Sequence, residues 1–388
     1  MFAFQTMKRD PYKHKEKYHA WKIAVKDGVP GISKVNSDLT LRYVGDMEVG
    51  RNVSSRSSKG PRSFIRLNTL RQKMIFFSKR FKDEFGLDDI TKITEDQIIV
   101  FFSKIRTGEV SREDGKIYAS IDTYGKAFKS FWHWWIKVNR KEGVTVEDIT
   151  IDLDVRRDKP KWVYLTEDQV RSFCDKSTFK YRTMIMFLFD TGIRAPTELI
   201  NIKISDLHND FKEVHIRDEI SKTFGRRIKL MLSSDLIKRY IREEKLELHD
   251  YLFTFKPYNV NRVIKNTARK LFGEGVSPAG EKYCNLTMYD FRHCACCYWM
   301  PRYKSESALK YRFGWKKSDK IHYYSELLGM RDTISEEDML IDTTKTELEK
   351  ELNSTKRQNE ILQERMELME INMAKFEKLA SQIEGVVS

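Results

Sequence analysis

The chain has 388 residues, of which 40% are hydrophobic and 12% aromatic, and its formal net charge is +14 at pH 7. A chain of this length exceeds one ordinary core and predicts two or three domains. No apolar run approaches the roughly 18 residues of a membrane span, and the N-terminus has no apolar signal segment, so we expect neither a membrane nor a secreted protein but a cytoplasmic one.

The charge is distributed unevenly along the chain. Residues 331–388 contain 8 Lys and Arg against 14 Asp and Glu, so this tail has a formal charge of −6 and residues 1–330 carry +20. A basic body with an acidic tail is typical of a nucleic-acid binder whose tail has a separate role. Binding to other polyanions would require the same charge, so charge alone does not select DNA.

Residues 1–63 are predicted to be a basic N-terminal segment, interrupted by glycine and proline. Its stretch "RNVSSRSSKGPRS" fits a flexible linker that contacts phosphates, and it fits a solvated tail equally well.

Residues 64–150 are predicted to form an all-helical domain. A capping box at Thr94 and Gln97 precedes an apolar run there. Two apolar stripes recur at helical spacing: Leu70, Met74, Phe77 and Phe81, and then Tyr124, Phe128, Phe131, Trp135 and Val138.

Residues 143–163 are predicted to be an interdomain linker, and a second capping box at Thr166 and Gln169 opens a domain over 164–330. Within it, residues 212–231 alternate like a short antiparallel sheet with Gly225 in a turn, and the rest is predicted to be helical. Five cysteines include the crowded Cys294, Cys296 and Cys297, which lack the paired spacing of a zinc site. We therefore predict no metal site and expect buried thiols.

The tail over 345–388 has a different pattern. Apolar positions step by alternating four and three residues, at Leu348, Leu352, Thr355, Asn359, Leu362, Met366, Met369, Met373, Phe376, Ala380, Ile383 and Val387. Such a heptad seam favours a coiled coil, and Asn359 at an a position favours a parallel dimer. The alternative is a single surface helix that packs on its own domain.

Four side chains in the second domain suit phosphoryl transfer without a metal: Arg194, Lys222, Arg292 and Tyr324. Two guanidinium groups can hold the charge that develops on the phosphate oxygens. A tyrosine oxygen can attack phosphorus, and a lysine ammonium can protonate the oxygen that leaves.

The segment "FLFDTGIRAPTELINIKISDL" resembles the first signature box of the tyrosine recombinase (phage integrase) family. The resemblance implies that Arg194 clamps the scissile phosphate and that a nearby acidic residue steadies the arginine. Glu198 follows Arg194 by four residues, where the family more often has three, and either interval would place the pair on one helical face.

A second box, "LTMYDFRHCACCYWM", resembles the family's His-x-x-Arg-His pattern and implies that Arg292 is the second catalytic arginine. Tyr289 stands where the family usually has histidine, a departure that resembles integrases of archaeal viruses and plasmids. A tyrosine hydroxyl can donate to a phosphate, but with a reference pKa near ~10 it is a poor general base. His293 is expected to support the local structure, and which of the two takes over the histidine's function is left open.

Downstream, "YRFGWKKSDKIHYYSELLG" resembles the box that ends in His or Trp, which implies that the Trp315 indole donates to the phosphate. The family nucleophile follows nine residues later, which favours Tyr324, with the adjacent Tyr323 as the alternative. The segment "SKTFGRRIKL" resembles the family's stretch with a lysine before a turn, which implies that Lys222 donates a proton to the leaving oxygen. Three further side chains are predicted to contact DNA phosphates: Arg226, Arg227 and Lys229.

The resemblance covers residues 64–330 and implies a mainly α fold: a SAM-like helical core-binding domain and a recombinase catalytic domain with a small antiparallel sheet, which together clamp DNA. It implies a site-specific integrase that cleaves and rejoins DNA through a 3′-phosphotyrosine, without cofactor or metal. Expected partners are double-stranded DNA attachment sites and further copies of the chain, as a dimer through the tail and a tetramer on DNA. Two alternatives remain: a type IB topoisomerase, and a catalytically silent DNA-binding or structural protein.

Overall fold

In a computed structural model, the chain is described over residues 8–51, 60–118, 120–156, 159–303 and 305–328 and at tail positions 355, 359, 362, 363, 366 and 369. It divides into two compact units, Met1–Ile321 and His322–Ser388. The described residues are mainly helical with one small sheet, which confirms the predicted fold class. None of the helices over these ranges is both long and apolar enough to cross a membrane.

The N-terminal region of the larger unit, here called the helical region, consists of residues 8–156. Its helices are α1 (His14–Ala24), α2 (Lys34–Glu48), α3 (Phe64–Phe85), α4 (Glu95–Thr107) and α5 (Ile121–Lys141). The capping box predicted at Thr94 and Gln97 starts α4, because each side chain accepts from the other's backbone N–H. The two predicted apolar stripes lie on α3 and α5 and meet in one aromatic core, where Phe77 and Phe128 have ring centroids 5.2 Å apart.

Helices α1 and α2 lie inside the segment that the sequence predicted only as basic. Tyr18, Tyr43 and Met47 are buried in the same core as α3 and α5. Ser33 caps α2 by accepting from the Asn36 N–H. The basic residues that lie on these two helices are Lys15, Lys17, Lys22, Lys34 and Arg42. Both helices bury side chains in the core of α3 and α5, so a boundary at residue 63 does not separate two cores.

The C-terminal region of the larger unit, here called the sheet-containing region, consists of residues 159–321. Its helices are α6 (Glu167–Asp175), α7 (Phe179–Thr191), α8 (Ser234–Glu243), α9 (Pro257–Phe272), α10 (Met288–Trp299) and α11 (Glu306–Phe313). Helix α12 (Asp319–Leu327) follows and continues into the second unit. The capping box predicted at Thr166 and Gln169 starts α6.

The predicted antiparallel sheet is present, with strands β1 (Leu207–His208), β2 (Glu213–Ile216) and β3 (Arg226–Lys229) in the order β1-β2-β3. In its register Val214 faces Ile228 and Ile216 faces Arg226. The residues of β3 are alternately buried and exposed, as a strand with one covered face requires. This alternation decides which of the basic residues on β3 can meet a ligand.

The predicted linker divides between the two regions. Leu153 is buried in the core of the helical region, whereas the Val163 N–H donates to Asp290 on α10. A second connection is made by the N-terminal residues. Asn201 is 2% exposed and pairs with the Arg9 backbone in both directions, through the Arg9 N–H (2.7 Å) and carbonyl (3.1 Å). The Arg9 guanidinium lies 3.3 Å from the centroid of the Tyr251 ring.

The predicted coiled coil falls almost entirely outside the described residues. At the described tail positions the chain is helical, and Leu362, Met366 and Met369 are 56%, 62% and 66% exposed. Self-association through the tail therefore stays a prediction.

Candidate active site

The first predicted arginine lies just after α7, a helix whose last nine residues are all buried. The helix ends at Gly192, whose φ of +60° belongs to the left-handed region that glycine adopts without strain. Arg194 follows in the next turn, with a side chain that is 13% exposed. Arg194 is thus held by the backbone at the edge of the core and keeps limited access to solvent.

Glu198 pairs with Arg194, as the first signature box implied. The Arg194 Nη1 donates to Glu198 Oε1 (2.7 Å), and the Arg194 backbone N–H donates to Oε2 (2.9 Å). The interval of four residues is accommodated by a turn and a 3-10 helix, Leu199–Asn201, instead of the helical face that we expected. Burial of the carboxylate opposes its ionisation, but Arg226 and Arg194 outweigh that effect and hold the pKa of Glu198 at about 2.

Arg226 does not occupy the position that the sequence predicted for it. Its side chain is 0% exposed, and its Nη2 donates to Glu198 Oε2 at 2.9 Å. A residue on the covered face of β3 cannot present its charge to a DNA phosphate, so the predicted phosphate contact does not fit this position. Arg227 and Lys229 lie on the exposed face of the same strand, which suits the predicted contact.

The second predicted arginine, Arg292, is 4% exposed on α10. Its guanidinium donates to the Gly192 carbonyl and to the Phe313 carbonyl, the latter at 2.6 Å. Helix α10 packs closely on α7, so Arg292 lies near the segment directly after α7 that carries Arg194. The structure thus brings together Arg194 and Arg292, which are far apart in the sequence.

The C-terminus of α11 is the point where the arginines meet. Three consecutive carbonyls there each accept from one guanidinium: Arg312 O from Arg226 (2.8 Å), Phe313 O from Arg292 (2.6 Å) and Gly314 O from Arg194 (2.9 Å). The last carbonyls of a helix lack partners within it and carry its negative dipole end, so cations stabilise them. The two signature arginines are therefore oriented by one fixed turn.

Sequence reasoning missed a buried ion pair beneath this turn. The Arg312 Nη2 lies 3.0 Å from Asp190 Oδ1, and the two side chains are 3% and 0% exposed. The other Asp190 oxygen accepts from the backbone N–H and the hydroxyl of Ser233. A charged residue inside the apolar run "FLFDTG" was the one available signal, because a buried charge requires a partner.

Lys222 lies in the loop between β2 and β3 and is exposed. Thr223, its neighbour, donates through its hydroxyl to the Gly314 carbonyl at 2.9 Å, which ties this loop to the arginine turn. Trp315 directly follows that turn and stacks on Phe313, with ring centroids 5.0 Å apart. Lys222 and Trp315 are thus next in sequence to residues that contact or form the arginine turn, and their predicted roles as proton donor and phosphate ligand stay predictions.

Tyr289 is 45% exposed at the start of α10. Its ring packs edge-on against His293 (5.1 Å between centroids), and His293 stacks on Trp162 at 4.7 Å. The histidine therefore lies between two aromatic rings, and its supporting role stays a prediction. Tyr289 keeps the exposure that a phosphate contact requires.

Tyr324 lies on α12 within the second unit and is 3% exposed, whereas the adjacent Tyr323 is half-buried. The two rings are 5.2 Å apart. The assignment of Tyr324 as nucleophile stays a prediction that rests on the nine-residue interval after Trp315.

Within the described ranges, no group of three or more His, Cys, Asp and Glu side chains could hold a metal ion. Cys294, Cys296 and Cys297 are all buried on α10, and burial raises the pKa of the Cys294 and Cys297 thiols. These thiols pack in the core as small apolar groups.

Residues 163–329 match the model of the phage integrase family. This stretch of the chain is a phage integrase domain. The chain is also similar to the Tn1549 transposon integrase (residues 82–397) solved with circular intermediate DNA, at 15% identity and a TM-score of 0.53, covering 77% of this chain and 100% of that one. A lambda integrase (75–356) dimer bound to a COC′ core site has 16% identity and a TM-score of 0.54, covering 77% and 98%. A comparison with curated proteins found no match.

The phage integrase domain contains all the predicted catalytic positions, and Gly192, whose carbonyl accepts from Arg292, packs closely on Phe313. A Cβ on Gly192 would lie 2.1 Å from Phe313 Cε1. We expect Gly192→Ala to lower the free energy of unfolding by about 2–4 kcal/mol, from left-handed backbone strain and overpacking together. Urea unfolding measures this loss.

The matched control is Gly273→Ala. Gly273 also follows a helix and has a φ of +67°, but a Cβ there would meet no atom within 4 Å. It should lose only the backbone contribution, about 1 kcal/mol. Equal losses in both variants would show that the contact with Phe313 is not tight.

Proposed function

We propose that this protein is a site-specific DNA recombinase that cleaves and rejoins DNA strands through a 3′-phosphotyrosyl intermediate. The observation that carries the proposal is the convergence of Arg194 and Arg292 on the turn at residues 313–314. Two guanidinium groups oriented from separate elements can hold two non-bridging oxygens of one phosphate. The Tn1549 and lambda integrases that resemble this chain were solved with DNA, which supports DNA as the substrate.

In the proposed reaction, the Tyr324 oxygen gives its proton to water and attacks phosphorus, and the bond from phosphorus to the 5′ oxygen breaks. Lys222 gives a proton to that oxygen, while Trp315 and Tyr289 donate hydrogen bonds to the phosphate. The released 5′-hydroxyl of a partner strand then attacks the phosphotyrosine and frees the enzyme. The bond energy is stored in the protein linkage, so the transfer requires no nucleotide.

A suicide substrate, nicked so that the short cleaved fragment diffuses away, tests the proposal. We expect a protein–DNA adduct that survives denaturation, and we expect strand exchange when two duplexes carry matching sites. Absence of an adduct at any site would favour a catalytically silent DNA-binding protein. Relaxation of supercoils with no exchange between duplexes would favour a type IB topoisomerase.

Cleavage should not depend on a divalent metal. Arginine and lysine side chains provide the positive charge that a metal would supply in a two-metal site. We expect the rate of adduct formation to be the same in EDTA and in magnesium, measured in single-turnover reactions. A strict magnesium requirement of the cleavage step would contradict the mechanism.

The proposed partners are double-stranded attachment sites and other copies of the chain, as a dimer through the tail and a tetramer on DNA. This protein would act in the cytoplasm on the nucleoid. Tyr289 in place of histidine supports an origin in a mobile element of archaea.

The predicted tail dimer rests on the apolar seam of the tail. Leu362 and Met366 in this seam are exposed, and such side chains bury little surface on an isolated helix, so the seam requires a second helix.

Deletion of residues 345–388 should therefore lower self-association and leave adduct formation on a suicide substrate measurable. Sedimentation of the full chain and of the deletion variant gives the comparison. If the isolated tail is monomeric at tens of micromolar, the helix packs on its own chain and the dimer prediction is wrong.

A further inference from the structure

Arg226 is a cation with no access to solvent, one strand away from the predicted phosphate site. Its guanidinium uses all three of its nitrogens: Nε donates to the Arg312 carbonyl (2.8 Å), Nη2 to Glu198 Oε2 (2.9 Å) and Nη1 to Glu198 Oε1 (3.3 Å). This is a forked pair between one guanidinium and one carboxylate, the geometry in which arginine binds most specifically. Burying such a charge is costly, so the pair must satisfy both partners fully.

Glu198 serves two arginines at once. Its Oε1 accepts from Arg194 Nη1 at 2.7 Å, while its Oε2 is occupied by Arg226 and by the Arg194 backbone. The Ser221 hydroxyl also donates to Oε1, at 3.3 Å. The carboxylate therefore grips the Arg194 side chain through one oxygen only.

This division leaves Arg194 Nη2 outside the carboxylate. That nitrogen donates to Gly314 O at 2.9 Å and lies 3.4 Å from the Thr223 hydroxyl. If Arg226 were absent, Glu198 Oε2 would keep only its bond from the Arg194 backbone N–H, and the Arg194 guanidinium could then pair with both carboxylate oxygens, away from the turn. The positive charge of Arg194 would then be directed at the buried Glu198 carboxylate and would no longer be available to a phosphate.

The close approach of Arg226 depends on Gly314. A Cβ on Gly314 would lie 3.1 Å from Arg226 Nη1 and 3.1 Å from Thr223 Oγ1. Gly314 thus leaves room for the Arg226 guanidinium, whereas a lysine at position 226 would keep the charge but could not form the forked pair with Glu198.

Resting on the function proposed above, we infer that Arg226 is a positioning residue: by occupying Glu198 it keeps Arg194 oriented toward the turn at residues 313–314, where the scissile phosphate is bound. Arg226 itself touches no DNA.

The test compares Arg226→Gln and Arg226→Lys with the wild type on a suicide substrate, and measures the adduct rate and the DNA affinity separately. We expect Arg226→Gln to lower the rate on the order of 10²-fold with nearly unchanged affinity, because only the transition-state contact of Arg194 is impaired. Arg226→Lys should recover some of that rate. The double variant Glu198→Gln/Arg226→Gln should lose less than the sum of the two single losses, because no carboxylate remains to withdraw Arg194.

Arg217→Gln is the matched control for a merely structural loss. Arg217 pairs with Asp206 at 2.9 Å, is 20% exposed, and has no hydrogen bond to Glu198 or Arg194 among the described residues. It should reduce thermal stability and leave the adduct rate unchanged. The inference is overturned if Arg226→Gln cleaves at the wild-type rate, or if affinity and rate fall together. Failure of the wild type to form any adduct would instead reject the proposed function, and the inference with it.

Discussion

Tyr324→Phe should abolish covalent attachment of the protein to DNA and leave its DNA affinity nearly unchanged. The substitution removes one oxygen, the proposed nucleophile, and keeps the ring of a side chain that is 3% exposed. If Tyr324 is the nucleophile, its loss leaves no oxygen in place to form the phosphotyrosine bond, so we expect no adduct even in long incubations. Denaturing gels of suicide-substrate reactions measure the adduct, and a gel-shift titration measures the affinity.

The natural control is Tyr323→Phe, because the two tyrosines are adjacent on α12 and lose the same atom. This variant should retain adduct formation. If Tyr323→Phe abolishes the adduct and Tyr324→Phe does not, the interval of nine residues after Trp315 has selected the wrong tyrosine.

Arg194→Ala and Arg292→Ala should each lower the cleavage rate by about 10²–10³-fold, and should affect affinity much less. Their contacts strengthen as charge develops on the phosphate, so their loss acts on the transition state more than on DNA binding. Both side chains also bind backbone carbonyls of the turn at 313–314, so a loss of stability is expected as well. Unfolding curves of each variant separate the two effects. Wild-type cleavage without either arginine would remove the argument that they hold the phosphate.

The sequence predicted those features that depend on local periodicity. The apolar stripes of α3 and α5, both capping boxes and the antiparallel strands follow from residues within a few positions of each other. Helix α1 was missed because its apolar positions are sparse among lysines, and α2 was missed because part of its buried face is polar, at Asn36, Ser37 and Thr40. Their apolar faces become evident only when the core of α3 and α5 is in place.

The sequence predicted which residue types form the candidate site, but it did not predict which side chains of strand β3 are buried and which are exposed. Arg226 and Arg227 are adjacent and identical in the sequence, but the strand places one inside and the other outside. Which alternate residues of β3 are buried depends on how α11 covers the strand, and these two elements are distant in the sequence. The pairing of Arg312 with Asp190 spans 122 residues and has no local signal either.

The pairing of Arg9 with Asn201 means that the helical region is attached to the same neighbour at both of its ends, once before α1 and once after α5. Residues 10–162 therefore form a loop whose two ends are both attached to the sheet-containing region, and not a domain joined to it by one linker. A protease cut in the segment after α5 would leave the N-terminal fragment held at Asn201 and Tyr251, at a high effective concentration near the other fragment. Any opening between the two regions must therefore either bend both attachments or release Arg9 first.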